Sequence, residues 1–365
     1  MIVLALLTDG YGAGGGIAQY NRDLLGAVAR ADVCEQVLVL ARHGTTVTAD
    51  LPMKVRLLGI SKGRLQFLAR AALAVLRHPR IDVIFCGHLF MLPLAVMLAM
   101  WCGASVWLQL HGIEAWQARG GWTQRALARV SLITAVSRYT RRRFLQWAPI
   151  SPDRVKVLPN TVSEEFRPGS LPLALQQRYS AQGRRVLLTV SRLAASERYK
   201  GHDKVIAAMD SLRNVEPTLL YLIAGEGDDR SRLETLVHQH QLDDHVRFIG
   251  FVSATDLPEL YRLADVFVMP SSGEGFGIVF LQALASGIPV VAGDGDGSRD
   301  PLRDGVDGLL VKADDVPAIA TALTTALAQG RTPRRGGAFD KHHFAGMVAT
   351  LATGLGHSQK GQVGR

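Results

Sequence analysis

Little cysteine, no apolar run of membrane-spanning length and no recognisable nucleic-acid module mark this chain, and each lack removes a class of protein. Cys34, Cys86 and Cys102 stand far apart with no CxxC pair. That excludes a disulfide framework and a cysteine zinc site, and it fits a reducing compartment. The longest apolar stretch, Leu89–Cys102, runs for about fourteen residues and carries Pro93, whereas a span needs about twenty. It is expected to be a buried helix. The opening residues MIVLALLTDG have no basic leader and reach glycine too early for a signal peptide. They read as a first buried strand, so a cytoplasmic chain is expected. Charged residues make up 20% and hydrophobic ones 48%, which excludes a disordered polymer.

What is abundant is positive charge, a net +9. It is concentrated at Lys62–Arg80, around apolar positions, and at Arg138–Arg143, which precedes Phe144, Leu145 and Trp147. Basic residues beside apolar and aromatic ones suit an anionic membrane surface. No zinc finger or RNP aromatic pattern accompanies them, so no nucleic-acid partner is expected.

At 365 residues the chain is long enough for two domains. Apolar, β-branched runs alternate with helix-period runs from Met1 to Leu158. An aperiodic Pro-, Gly- and Ser-bearing stretch, Thr161–Leu173, interrupts them before the alternation restarts at Arg185 and continues to Ala328. The fold expected is α/β, two doubly wound Rossmann-like domains facing across a cleft. The domains are placed at 1–163 and 164–335. A tail, 336–365, either returns to the first domain or is disordered.

One unit organises the second half. In Ala264–Asp294 an apolar strand meets the turn Ser271–Gly277, a helix-period run Ile278–Ser286, a Gly287 stop and a second apolar run. This is one βαβ crossover. Its helix N-terminus suits a phosphate, and Glu274 is placed to accept from ligand hydroxyls. Glycines 273, 275 and 277 are expected to admit a ligand close to the backbone. In the first half a glycine-rich loop, 10–16, follows the first strand. Gly10, Gly12 and Gly15 satisfy G-x-G-x-x-G, but the next strand ends in Ala41-Arg42-His43 without an acid to hold a ribose, so a dinucleotide cofactor is not expected. His88, His111 and Glu114 lie at strand ends, where open α/β sheets bind ligands.

The order of these features resembles glycosyltransferase family 4. Arg192, Lys200-Gly201, Gly225-Glu226-Gly227, Gly250-Phe251 and Glu274-Gly-Phe-Gly277 follow that family's donor half. Gly14-Gly15-Gly16, His111-Gly112-x-Glu114, Ser137 and Pro159-Asn160 follow its acceptor half. The resemblance implies a retaining, metal-independent GT-B transferase without a cofactor, moving a sugar from a UDP- or GDP-linked donor. The acceptor expected is lipid-linked or an oligosaccharide, in surface polysaccharide synthesis at the inner face of the cytoplasmic membrane. It assigns Arg192 and Lys200 to the donor diphosphate and Glu274 to the transferred sugar, with the backbone at Phe276, Gly277 and Ile278. Phe251 and Val252 would lie near the base, Gly15, Gly16 and Gly225 near the donor, and His111 beside the reacting face. His88, Glu114 and Ser137 fall on the acceptor side. The family's second ribose-binding Glu is here Gln282, a neutral acceptor weaker by roughly 1 kcal/mol.

Two other readings are compatible with the residues. A nucleotide-sugar 2-epimerase shares the architecture and needs acidic groups such as Asp9, Glu114 and Asp300. A non-catalytic partner of another transferase is suggested only by Gln282.

Overall fold

The computed structural model describes residues 1–12, 14–44, 51–61, 63–331 and 337–360, with backbone only for 357–360. The chain forms two compact units: residues 1–161 with the helix that begins at Lys341, and Val162–Asp340.

In the first unit β1 (Ile2–Asp9) is followed by α1 (Gly16–Arg30), β2 (Gln36–His43), β3 (Val55–Ile60) and α2 (Arg64–Arg77). Then come β4 (Val83–Cys86), α3 (Leu92–Cys102), β5 (Ser105–Leu110) and α4 (Trp122–Leu127). β6 (Leu132–Ala135), α5 (Arg138–Leu145) and β7 (Val155–Val157) complete the alternation. The strands form one sheet in the order β3-β2-β1-β4-β5-β6-β7, and every pairing is parallel. Buried on both faces, its central strands read as unbroken apolar runs. The order reverses between β1 and β4, so the ends of those strands form the switch point where a doubly wound sheet opens a crevice.

The second unit begins with α6 (Leu173–Arg178) and β8 (Arg185–Val190), then α7 (His202–Val215), β9 (Leu219–Ala224), α8 (Arg230–Gln239) and β10 (Val246–Gly250). It continues through α9 (Leu257–Leu263), β11 (Val266–Met269), α10 (Ile278–Ala285), β12 (Val290–Gly293), β13 (Leu309–Val311) and α11 (Val316–Gln329). This parallel sheet runs β10-β9-β8-β11-β12-β13, with its switch point between β8 and β11.

The last helix, α12 (Lys341–Lys360), belongs to the first unit and packs on α1. Phe344, Val348, Ala352 and Leu355 are buried among its described side chains, spaced as one helical stripe. Phe344 meets the buried Tyr20 ring of α1 edge-on, with centroids 6.0 Å apart.

Two expectations need correction. Leu89–Cys102 is not a wholly buried helix: a short 3-10 turn precedes α3, and Phe90, Met97, Met100 and Trp101 are each more than half exposed. Only one side of α3 lies on the sheet, and a helix apolar all round does not reveal which. Of the apolar residues after Arg138–Arg143, Leu145 and Trp147 reach the surface only in part. Phe144 is buried and Trp147 Nε1 donates to Ala115 O at 2.8 Å. Arg141 donates to Val155 O and Pro152 O, both at 2.8 Å, while Arg143 lies over the Tyr139 and Trp116 rings. Within the aperiodic stretch Thr161–Leu173 the chain is fastened at two points. Phe166 is buried against Tyr261, and Arg262 donates to Glu165 O and Arg167 O. Lys62 lies outside the described residues.

Candidate functional site

The second unit gathers a charged cluster at its switch point. β8 delivers Ser191 and Arg192, a 3-10 segment (Ala195–Lys200) delivers Glu197 and Lys200, and the β11–α10 loop delivers Glu274. The segment meets the left-handed Gly201 (φ 78°), which opens α7. A Cβ there would lie 2.7 Å from Pro270 O, so only glycine lets this corner sit against β11. Lys200 stands immediately before the Gly201 cap of α7. It ends a tight turn.

Glu197 organises the cations. It pairs with Arg192 and with Lys200, the latter at 2.7 Å. Lys200 and Glu197 are nearly enclosed while Arg192, held to Glu197 by the same ion-pair cluster, is 76% exposed. Lys200 also acts electrostatically on Glu274. Burial raises the Glu274 carboxyl to about 7, with Lys200 opposing the rise and Asp296 and Glu197 adding to it.

The backbone around Glu274 is fastened by Asp296, which is fully buried. Its Oδ2 accepts from Glu274 N–H at 2.6 Å and from the Ser271 hydroxyl at 3.0 Å, and its Oδ1 accepts from Ser298 N–H at 2.9 Å. His202, also buried, lies 2.8 Å from the Ser191 hydroxyl, and burial lowers its pKa to about 4. Glu197, Asp296 and His202 were not singled out from the sequence. The signal for Asp296 was present in the acid-and-glycine run after β12, a second loop at the strand ends.

Several glycines have a different purpose from the one expected. The Gly273 Cα faces the Tyr199 ring, 2.6 Å from where a Cβ would sit, and Gly277 (φ 82°) faces the Phe280 ring. Their space is filled by the chain, not kept open for a ligand. At Gly225 a Cβ would collide with Ser191 O, so that glycine lets two strand-end loops cross. The Phe276 side chain is buried against Phe339, with centroids 5.7 Å apart, leaving only its backbone at the loop. Gly277 caps α10 and Ile278 begins it, both partly exposed. Phe251 is 75% exposed and Val252 partly so. The Gln282 Oε1 accepts from the buried Tyr261 hydroxyl at 2.9 Å. That oxygen, expected to serve a ribose, already accepts a hydrogen bond within the unit.

The first unit's switch point carries the other candidates. Gly14, Gly15 and Gly16 are exposed where α1 starts, and Gly15 (φ 91°) has open space at its Cβ position. His111, at the end of β5, has its Nε2 3.0 Å from Gly87 O and its ring edge-on to Tyr20. Its backbone N–H donates to Glu114 Oε1 at 2.6 Å. Burial pulls its pKa down to about 4, so the ring is neutral at pH 7. With Nε2–H donating to Gly87 O, Nδ1 is the remaining acceptor. His88 accepts from Phe90 N–H through Nδ1 at 3.3 Å, the role of a turn cap, and its ring lies tilted against that of Phe90 with centroids 4.7 Å apart. Ser137 is fully buried with its Oγ capping α5 through Thr140 N–H at 2.9 Å. It is a helix cap, not an acceptor contact.

Comparisons with known proteins bear on both units. Residues 174–341 match the family model Glycosyl transferases group 1, and 14–166 match Glycosyltransferase Family 4. A GDP-mannose-dependent alpha-(1-6)-phosphatidylinositol monomannoside mannosyltransferase of Mycolicibacterium smegmatis is 33% identical over 280 residues, 72% of this chain and 71% of that one. Among solved structures, Anabaena Alr3699/HepE in complex with UDP and glucose has a TM-score of 0.74 at 21% identity, covering 100% of this chain and 99% of that one. A sucrose-phosphate synthase from Thermosynechococcus elongatus has a TM-score of 0.76 at 21% identity, covering 98% and 100%.

Proposed function

The chain belongs to glycosyltransferase family 4 and has the GT-B fold, and on that premise we propose that it transfers mannose from GDP-mannose to a lipid-linked or oligosaccharide acceptor, with retained configuration and without a metal or cofactor. The observation that carries the reading is the Arg192–Glu197–Lys200 cluster beside Glu274 at the β8/β11 switch point. A nucleoside diphosphate gains charge as the bond to sugar C1 breaks. Fixed cations stabilise that charge most where they need not reorganise, which describes the enclosed Lys200. Glu274 accepts from sugar hydroxyls in the backbone frame that Asp296 sets. The acceptor hydroxyl oxygen forms its bond to C1 as the diphosphate leaves with the bonding pair, and the hydroxyl's proton passes to the departing phosphate oxygen. His111 offers its neutral Nδ1 to a sugar hydroxyl. The GDP-mannose donor is supported by the mycobacterial relative's specificity.

The lipid-linked acceptor and an inner-membrane address rest on one face of the first unit. On α2, Leu65 and Leu76 are exposed, and Arg64 and Arg77 flank them. α3, packed beside it, exposes Met97, Met100 and Trp101. An amphipathic basic surface of this kind suits an anionic bilayer. Among the described residues no helix is long and apolar enough to cross a membrane. We assign the product to a bacterial surface glycoconjugate.

The test is thermal stabilisation of the protein by GDP, UDP and their mannose and glucose conjugates, with and without EDTA, followed by turnover of Lys200→Ala and Glu274→Ala. Ligand at a hundred times its Kd adds about 2.7 kcal/mol to the folded state. Selective stabilisation by GDP species, unchanged by EDTA, and turnover lowered by orders of magnitude in both variants are expected. Near wild-type turnover in both would remove the site assignment.

A further inference from the structure

The first unit contains a cavity of about 390 Å³ that the transfer reaction leaves unexplained. It lies against one face of α1, where Gln19, Arg22, Asp23, Gly26 and Arg30 succeed one another at helical spacing, and it is closed by Lys341 and Phe344 of α12 and by Tyr11 after β1. Its size falls in the range of small-molecule sites. Its charge is one-sided. Arg22, Arg30 and Lys341 line it against a single described carboxylate, Asp23.

That carboxylate is already engaged. Asp23 accepts from Gln19 Nε2 at 2.9 Å and has Lys341 Nζ at 3.8 Å. Arg22 is held by Gly10 O at 3.3 Å and Gln19 Oε1 at 2.9 Å, which aligns its guanidinium along the wall. Tyr11 is the second, independent sign. It is 7% exposed, and its hydroxyl has no hydrogen-bond partner among the described residues. Buried hydroxyls are nearly always paired, and one that is not calls for an explanation. Burial pushes this phenol up to about 12, so it stays a donor at any physiological pH.

We propose that this cavity binds a phosphate group, with Tyr11 donating its hydroxyl and Arg22, Arg30 and Lys341 supplying the charge. A phosphate oxygen accepts what Tyr11 lacks a partner for, and a planar guanidinium presents two parallel donors to such a group. The phosphate has two sources: a soluble phosphate ester, or the headgroup of a membrane lipid, which would place the site on the acceptor side of the proposed reaction.

Inorganic phosphate is titrated against the full chain and against Tyr11→Phe and Arg22→Gln, reading the melting temperature in a buffer otherwise free of phosphate. Urea midpoints without phosphate show that both variants fold. Saturable stabilisation of the wild type is expected, weakened about tenfold by Tyr11→Phe, the effect of one hydrogen bond to a charged group, and lost in Arg22→Gln. Vesicles of phosphatidylcholine with and without phosphatidylinositol identify the source. A preference for the inositol lipid that disappears in Tyr11→Phe assigns the headgroup. Stabilisation by free phosphate without that preference assigns a soluble ester. No stabilisation of the wild type, or stabilisation equal in all three proteins, overturns the proposal. Neither arm involves a nucleotide, so failure here is separate from failure of the transferase reading.

Discussion

Replacing Asp296 with alanine separates the frame of the donor loop from its chemistry. The side chain touches no expected ligand position. It holds Glu274 N–H, Ser298 N–H and the Ser271 hydroxyl, at 2.6, 2.9 and 3.0 Å. Alanine leaves two backbone donors without an acceptor, at about 1–3 kcal/mol each, and removes the hydroxyl's acceptor as well. One effect opposes this. Burial raises the Asp296 carboxyl, so its removal relieves a desolvation penalty. The net loss expected is about 2–4 kcal/mol. Urea unfolding should show it as a lower midpoint at unchanged slope. Amide exchange at Glu274 and Ser298 should accelerate by tens- to hundreds-fold, the same free energy read locally. Donor turnover should fall with it, because Glu274 loses its fixed backbone. Asp296→Asn keeps one acceptor and should lose about half as much. A midpoint change worth less than about 0.5 kcal/mol, with exchange at Glu274 unaltered, would refute the claim that Asp296 sets this loop.

Two further outcomes are expected. His202 has a folded pKa near 4 against an ordinary value of 6.5. Its contribution to stability is fully present above pH 6.5 and is lost as pH falls through 4, by about 3 kcal/mol in all. His202→Gln, which cannot charge, should therefore lose less stability than the wild type between pH 6.5 and 4, and parallel urea midpoints across that range would contradict it. On the α2/α3 face, Leu65→Glu combined with Trp101→Glu should weaken binding to anionic vesicles at least tenfold, since each side chain would bury about 1.5–3 kcal/mol of apolar surface. Equal vesicle binding by variant and wild type would move the membrane contact elsewhere.

The alternation of strand and helix was open to reading because buried parallel strands appear as continuous apolar runs bounded by glycine and polar turns. Ser105–Leu110 and Arg185–Val190 have the limits their residues suggest. Strand-end placement of Arg192, His111 and Glu274 followed from the same pattern. The apolar stripe of α12, Phe344, Val348, Ala352 and Leu355, was not read from the sequence, because glycine- and histidine-rich composition masks its period.

The sequence by itself determined the two α/β units, the loops that meet at their switch points and the family of the chain, because these depend on spacing over a few residues or on motifs within single loops. Only the tertiary structure decided how those residues are used. Asp296 beneath Glu274, Tyr261 on Gln282 and the Tyr11 hydroxyl, unpartnered among the described residues, are defined by neighbours distant in the chain or by the lack of one. The same holds for the exposed side of α3, whose uniform apolar surface gives no direction until one side meets the sheet. Hydrogen-bond partners and burial are properties of what folding brings into contact, and no local pattern carries them.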